Sequence, residues 1–167
     1  MKNIYIAFLL LFTTQIVRAD FNDGVIAYLM GDYETAYNTM MSLSDTSEDG
    51  LSHYYLGVMY MKGQGVEQDF EEAGKWLRKA SEYRLPQAQY KLANLYTQGK
   101  GVPQDYEYAY VWYSVGAAHE HKLSVNAING AKEKLSEDEL SEAKKLTAEY
   151  IEKYGPKEEE SKNIGTQ

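Results

Sequence analysis

Apolar and polar residues along this chain follow a helical period. Between Ser52 and Met61 the apolar positions Tyr55, Leu56, Met59 and Tyr60 share one face of a helix. Lys62-Gly63-Gln64-Gly65 then breaks the pattern, because glycine readily takes positive φ and ends helices. Asp69 is placed to cap a second helix, with Glu71 and Glu72 in a first turn that favours negative charge. Phe70, Ala73, Trp76, Leu77 and Ala80 form the apolar face of that helix. The whole pattern returns 36 residues later. Tyr54, Leu56, Tyr60, Gly63, Gly65, Val66, Gln68, Asp69, Ala73 and Trp76 recur as Tyr90, Leu92, Tyr96, Gly99, Gly101, Val102, Gln104, Asp105, Ala109 and Trp112. Gln98-Gly99-Lys100-Gly101 is the second breaker and Asp105 the second cap. Small residues at Gly57/Ala93 and Ala73/Ala109 allow paired helices to approach closely, and Pro86 suits the first turn of the helix opening the second copy. A fixed period of this length marks a stack of supersecondary units, which presents a surface to a partner rather than enclosing a catalytic pocket.

The pattern Y-x-L-G-x-x-Y-x-x-G-x-G-V-x-x-D-x-x-x-A-x-x-W resembles that of Sel1-like repeats, relatives of tetratricopeptide repeats, over residues 52–119. The resemblance implies an all-α fold, a short right-handed α-solenoid of about eight helices in antiparallel pairs, in which the first helix of each pair lines a concave face. Upstream, Ala27, Gly31-Asp32-Tyr33 and Ala36-Tyr37 look like a divergent helix pair. Downstream, residues 135–143 resemble the closing helix that often follows a last Sel1 repeat. Ser136 with Glu139 forms a capping box there, and Glu137, Glu142, Lys144, Lys145 and Glu149 give a polar outer face. Two positions depart from the family. Its second helices usually end in glycine, but here Arg84 and Glu120 stand in those places. A left-handed residue with a side chain costs about 1 kcal/mol, so a different turn geometry is expected. The disulfide of the cysteine-rich relatives cannot form, since the chain has no cysteine.

The ends divide the chain further. Met1-Lys2-Asn3 is basic, residues 4–12 are apolar and uncharged, and Val17-Arg18-Ala19 offers small residues at a cleavage site. This predicts a signal peptide over residues 1–19, cut after Ala19, with an apolar core too short to span a bilayer. No cysteine follows it to take a lipid. The expected organisation is then a divergent helix pair over 20–50, repeats over 51–86 and 87–120, a capping helix pair over 121–154, and a charged, disordered tail over 155–167. The product would be periplasmic or secreted. Its net charge of −8 becomes −10 once Lys2 and Arg18 are removed. That balance argues against nucleic-acid partners and anionic membrane surfaces, and no membrane insertion is expected after cleavage.

Catalytic and metal motifs are few. Ser141-Glu142-Ala143-Lys144 matches S-x-x-K, in which a lysine one turn away can deprotonate a serine, as in β-lactam-binding enzymes. Nothing reads as a K-T-G partner, and Ser44-Asp45-Thr46 is a poor echo of S-D-N. Asp45-x-Ser47-x-Asp49-Gly50 opens like a calcium loop, but its twelfth position falls on Leu56, a core position, so a turn and helix cap is the reading preferred. His119 and His121 project to different sides of a helix, a poor zinc site. No cofactor is expected and no enzyme activity. The alternative is β-lactam binding or hydrolysis through Ser141 and Lys144.

The sixteen tyrosines point to contact surfaces. Tyr106, Tyr108, Tyr110 and Tyr113 crowd one helix, too many to bury together. Comparing the two copies separates frame from freedom: residues that recur are frame, and residues that differ are candidates for recognition. The differing positions on the leading helices are His53/Gln89, Tyr55/Lys91, Val58/Asn94 and Met61/Thr97. They are the expected partner-binding residues of a monomeric, non-catalytic interaction module that takes a protein or peptide in its groove.

Overall fold

The computed structural model describes residues 21–45 and 50–157. The predicted signal peptide, residues 46–49 of the calcium-like motif and residues 158–167 of the tail lie outside them. Eight helices follow one another, with no strand among the described residues: α1 (21–30), α2 (Tyr33–Leu43), α3 (Leu51–Lys62), α4 (Phe70–Glu82), α5 (Pro86–Gln98), α6 (Tyr106–Ala118), α7 (Lys122–Lys132) and α8 (Glu137–Tyr154). The fold is a helical solenoid, as the period of the sequence predicts. Gly24 on α1 approaches Thr39 and Met40 of α2, from α2 to α7 each helix packs on the next, and α8 departs from that succession.

The recurring residues build the same local structure twice. Asp69 Oδ1 accepts from the amides of Glu71 and Glu72 at 2.8 and 3.0 Å, and Asp105 Oδ1 from that of Tyr108 at 2.9 Å. These bonds satisfy N–H groups that a helix start leaves open. The Gln68 side chain donates to the carbonyl of Met61 at 2.7 Å, and Gln104 does the same to Thr97 at 2.9 Å. Each glutamine thus ties the turn back onto the leading helix. Inside the first repeat the helices close tightly: a Cβ on Gly57 would meet Leu77 Cγ at 2.7 Å.

The seam between pairs is also repeated. Gly65 has φ +72°, and a Cβ there would lie 2.2 Å from the Tyr33 carbonyl oxygen at the start of α2. Gly101 has φ +69°, and its Cβ would lie 2.0 Å from the Phe70 oxygen at the start of α4. The second glycine of each turn therefore serves both a left-handed backbone and a backbone-to-backbone contact. Tyr60 Oη lies 2.8 Å from Tyr37 Oη on α2, and Arg78 on α4 donates to Tyr96 Oη. The first of these bonds is the main reason that the Tyr60 phenol is pushed up to about 12. The diverged pair α1–α2 thus docks on the first repeat as that repeat docks on the second.

Arg84 and Glu120 keep the left-handed geometry, with φ 64° and 59°, contrary to the different turn expected from their side chains. At Arg84 a tertiary bond offsets strain: its Nε donates to the Gly155 carbonyl at 3.0 Å.

α8 closes the molecule from the side. It packs chiefly against α6 rather than against α7, so 121–154 is not a helix pair of the repeating kind. Its start carries the expected capping box, with Ser136 N donating to Glu139 Oε2 at 2.8 Å and Glu139 N to Ser136 Oγ at 3.3 Å. Its end delivers Tyr150 and Tyr154 onto Trp112, at centroid distances of 5.2 and 5.7 Å.

Candidate functional site

The eight expected partner-binding residues separate into two groups. His53, Val58 and Gln89 are buried, at 5%, 6% and 0% exposure, and do not face solvent. His53 lies between two rings, with Trp76 at 5.6 Å and Tyr83 at 5.5 Å, both stacked. Gln89 gives its two amide hydrogens to the carbonyls of Ser81 at 3.2 Å and Tyr154 at 3.0 Å. Val58 is covered because α3 has neighbours on several sides, with Ser52, His53, Leu56, Gly57, Val58 and Met59 all buried. Sequence comparison counted these positions as free because they differ between copies. They differ because their neighbours differ.

Tyr55, Met61, Lys91, Asn94 and Thr97 remain partly exposed. Tyr55 sits in an aromatic group built from α1 and α3, edge-on to Tyr28 at 5.2 Å, Tyr54 at 5.9 Å and Phe21 at 6.3 Å. Burial, and then the neighbouring Tyr28, raise its phenol pKa above the ordinary range. Met61 packs against the main core. Asn94 and Thr97 are engaged from α6: Tyr113 Oη donates to Asn94 Oδ1 at 2.6 Å and lies 3.3 Å from Thr97 Oγ1. Lys91, in register with Tyr55, makes no ion pair among the described residues. Burial, and then the nearby Lys62 ammonium, push its pKa below the ordinary lysine range. Lys62 in turn donates to Tyr28 Oη at 3.5 Å, and Tyr28 Oη to Gln64 Oε1 at 3.0 Å. The leading helices thus present tyrosine rings beside two lysines, in a chain of net charge −8.

The other candidates are placed more simply. Ser141 and Lys144 are both exposed on α8. His119 Nε2 lies 3.1 Å from the Tyr154 carbonyl oxygen and His121 Nδ1 lies 2.9 Å from Ser124 Oγ, so the two rings serve different contacts. Among the described residues no group of three or more His, Cys, Asp or Glu is arranged to hold a metal ion. On α6, Tyr113 is buried and Tyr106, Tyr108 and Tyr110 are partly buried, with Tyr108 stacked on Tyr96 at 5.3 Å. The crowded tyrosines pack mainly inward and form no exposed band.

Known proteins agree with this geometry. The family model of the Sel1 repeat matches residues 50–82 and 86–121, the two copies that share caps, glycine turns and seams. The chain carries two Sel1 repeats. It is similar to the crystal structure of a protective antigen of uropathogenic Escherichia coli strains that displays an SLR fold, with 28% identity, a TM-score of 0.78, and coverage of 84% of this chain and 31% of that one. It is also similar to a Sel1 repeat protein from Oxalobacter formigenes, with 28% identity, a TM-score of 0.59, and coverage of 65% and 44%. The chain therefore spans less than half the length of either solved relative. No curated protein matches it. Sel1-like repeat proteins are generally protein-interaction modules, and the fold is typically a non-catalytic scaffold.

Proposed function

We propose that this protein is an exported, non-catalytic adaptor that seats a protein or peptide segment along the face of its leading helices. The observation that carries the reading is the run from Tyr55 to Tyr28, from Tyr28 Oη to the Lys62 ammonium, and from Lys62 to its neighbour Lys91, a partly buried ammonium without an ion pair among the described residues. Tyrosine offers large contact area at small entropic cost. A lysine held in partly desolvated surroundings gains most from an incoming carboxylate. The segment that fits is extended, with an apolar or aromatic side chain over Tyr55 and an acidic group at Lys91. Asn94 and Thr97 border this site while anchored to Tyr113. Export rests on the basic start, the apolar run and the Ala19 cleavage site.

The test is capture of partners from an envelope extract by the mature protein and by a Tyr55→Ala, Lys91→Glu variant whose helicity and melting match the parent. The variant loses the specific partner if the reading is right. Retention of every partner would show that the site lies elsewhere. Covalent labelling by penicillin that disappears in Ser141→Ala would replace the adaptor reading with an enzymatic one.

A further inference from the structure

The leading helices of the two repeats carry no carboxylate. Neither α3 nor α5 contains Asp or Glu, and each has one cation, Lys62 and Lys91, in a chain with 25 acidic residues. The trailing helix α4 is built differently. It carries Glu71, Glu72 and Glu82, and the first two pair with Lys75 at 3.1 and 2.8 Å. The charged neighbour of Lys91 is instead a second ammonium, that of Lys62. Like charges held together in partly desolvated surroundings favour an incoming anion.

A third donor stands one turn along. Asn94 follows Lys91 by three residues on α5, so the two side chains are neighbours on one face. Its amide offers one oxygen and two N–H groups. Tyr113 Oη donates to Asn94 Oδ1 at 2.6 Å, which engages the oxygen from α6. The Nδ2 group makes no hydrogen bond among the described residues. Burial, partly countered by the Thr97 hydroxyl, raises the Tyr113 phenol, so its O–H stays protonated and able to donate. Thr97 completes the group: it donates to the Ala93 carbonyl at 2.9 Å and lies 3.3 Å from Tyr113 Oη. Lys91, Asn94, Thr97 and Tyr113 stand where the first repeat has Tyr55, Val58, Met61 and Leu77. Four aromatic or apolar positions thus change together, and three of the four replacements bond to one another.

We propose that Lys62, Lys91 and Asn94 form one seat for a single carboxylate of the partner, and that Tyr113 is a positioning residue that fixes the Asn94 amide with its N–H groups toward that seat. The proposal rests on the groove reading given above and states what the groove selects. Two ammoniums and an amide N–H can only donate, so the seat takes an acceptor and rejects an ammonium or guanidinium. A carboxylate accepts from all three at once, and bonds to a charged acceptor are the stronger kind. A side-chain carboxylate and a chain-end carboxylate present the same chemistry to it.

Side-chain NMR of the nitrogen-labelled protein tests it, with acetate as the probe and chloride as the control at constant ionic strength. Asn94 Nδ2 and the Nζ groups of Lys62 and Lys91 should shift together with one saturating midpoint, while the exposed Lys144 drifts without saturating. Asn94→Asp places a carboxylate oxygen where Nδ2 stands, and should weaken acetate at least about tenfold. Tyr113→Phe should weaken it about threefold and remove the Asn94 shift while both lysines still respond, a pattern that general loosening of the fold does not give. Two further probes carry a tyrosine ring for Tyr55: acetyl-tyrosyl-glutamate with an amidated end, and acetyl-tyrosyl-glycine with a free one. Each should bind more tightly than acetate, and the tighter one identifies the source of the carboxylate. Acetate binding with no advantage for either would count against Tyr55 as a contact and still support the seat. Separate midpoints for the three groups, or a drift like that of Lys144, would mean an adventitious ion only and overturn the proposal. Unchanged acetate binding in Asn94→Asp would overturn it as well, and an unchanged Asn94 shift in Tyr113→Phe would remove the positioning role.

Discussion

Trp76 and Trp112 occupy the same position in the two repeats, yet they live in different surroundings. Trp76 on α4 is only partly buried, stacked on His53, with the Lys79 ammonium 4.4 Å from its ring. Trp112 on α6 is 1% exposed, covered by Tyr150 and Tyr154 of α8. The residues around each differ to match. Where the first copy has His53 and Tyr83 stacked in one column, the second has Gln89 and His119, both meeting the Tyr154 carbonyl oxygen. A recurring residue thus fixes the frame, and the residues that change around it record which element covers that frame. α8 covers the last repeat and leaves the first one open.

The comparison can be broken most forcefully at Trp112. Trp112→Ala should destabilise by about 3–5 kcal/mol, the range for a fully buried aromatic, whereas Trp76→Ala should lose about 1–2 kcal/mol for its partial burial. Denaturant unfolding of both variants measures the gap, and equal losses would contradict the assigned surroundings. The frame itself is probed by Gly101→Ala and Gly65→Ala. Each combines a left-handed backbone with a clash against a neighbouring carbonyl, so each should cost about 2–5 kcal/mol. Similar losses at the two sites would show that α1–α2 docks as a true repeat unit.

Smaller effects sharpen the picture at the turns. Glu120→Gly should stabilise by about 0.5–1 kcal/mol, because it relieves a left-handed residue at some entropic cost. Arg84→Gly should be close to neutral, since the same relief is offset by loss of the bond to Gly155, about 0.5–1.5 kcal/mol. Thermal melts of the two variants separate a bare turn from one tied to the end of α8. The smallest effect concerns pH at the opposite end of that helix. The backbone bond from Ser136, and then its side chain, hold the Glu139 carboxyl below its usual range. A carboxyl depressed in the folded state contributes stability that is fully present above its unfolded value of about 4.3 and is lost as pH falls through the folded one. Acid titration followed by helicity should therefore show the start of α8 loosening below pH ~4, and Glu139→Gln should remove that dependence.

Much of this architecture was legible because it is written twice. The caps at Asp69 and Asp105, the glutamines that tie the turns, the glycine seams and the capping box at Ser136 all follow from spacing and local chemistry. The candidate site was legible only in part. Tyr55 and Lys91 share a register that sequence comparison finds. The burial of His53, Val58 and Gln89 depends on Tyr83, on the neighbours that surround α3 and on the Tyr154 carbonyl, none of which the period encodes. Arg84 keeps a conformation that favours glycine while bonded to a residue 71 positions away, a compensation invisible to local reasoning. The apolar face of α1 escaped for the opposite reason. Ile26, Leu29 and Met30 have the spacing of a core face, and only the fold shows that they stay exposed.

The central claim is that one frame is used twice and that α8 alone decides which copy is sealed. Iodide quenching of tryptophan fluorescence in Trp76→Phe and Trp112→Phe, each with a single remaining indole, tests it directly. Trp112 should be protected and Trp76 accessible, and a Tyr150→Ser, Tyr154→Ser change should raise quenching of Trp112 toward that of Trp76. Equal quenching in the two parents, or a Trp112 indifferent to loss of both tyrosines, would contradict the account.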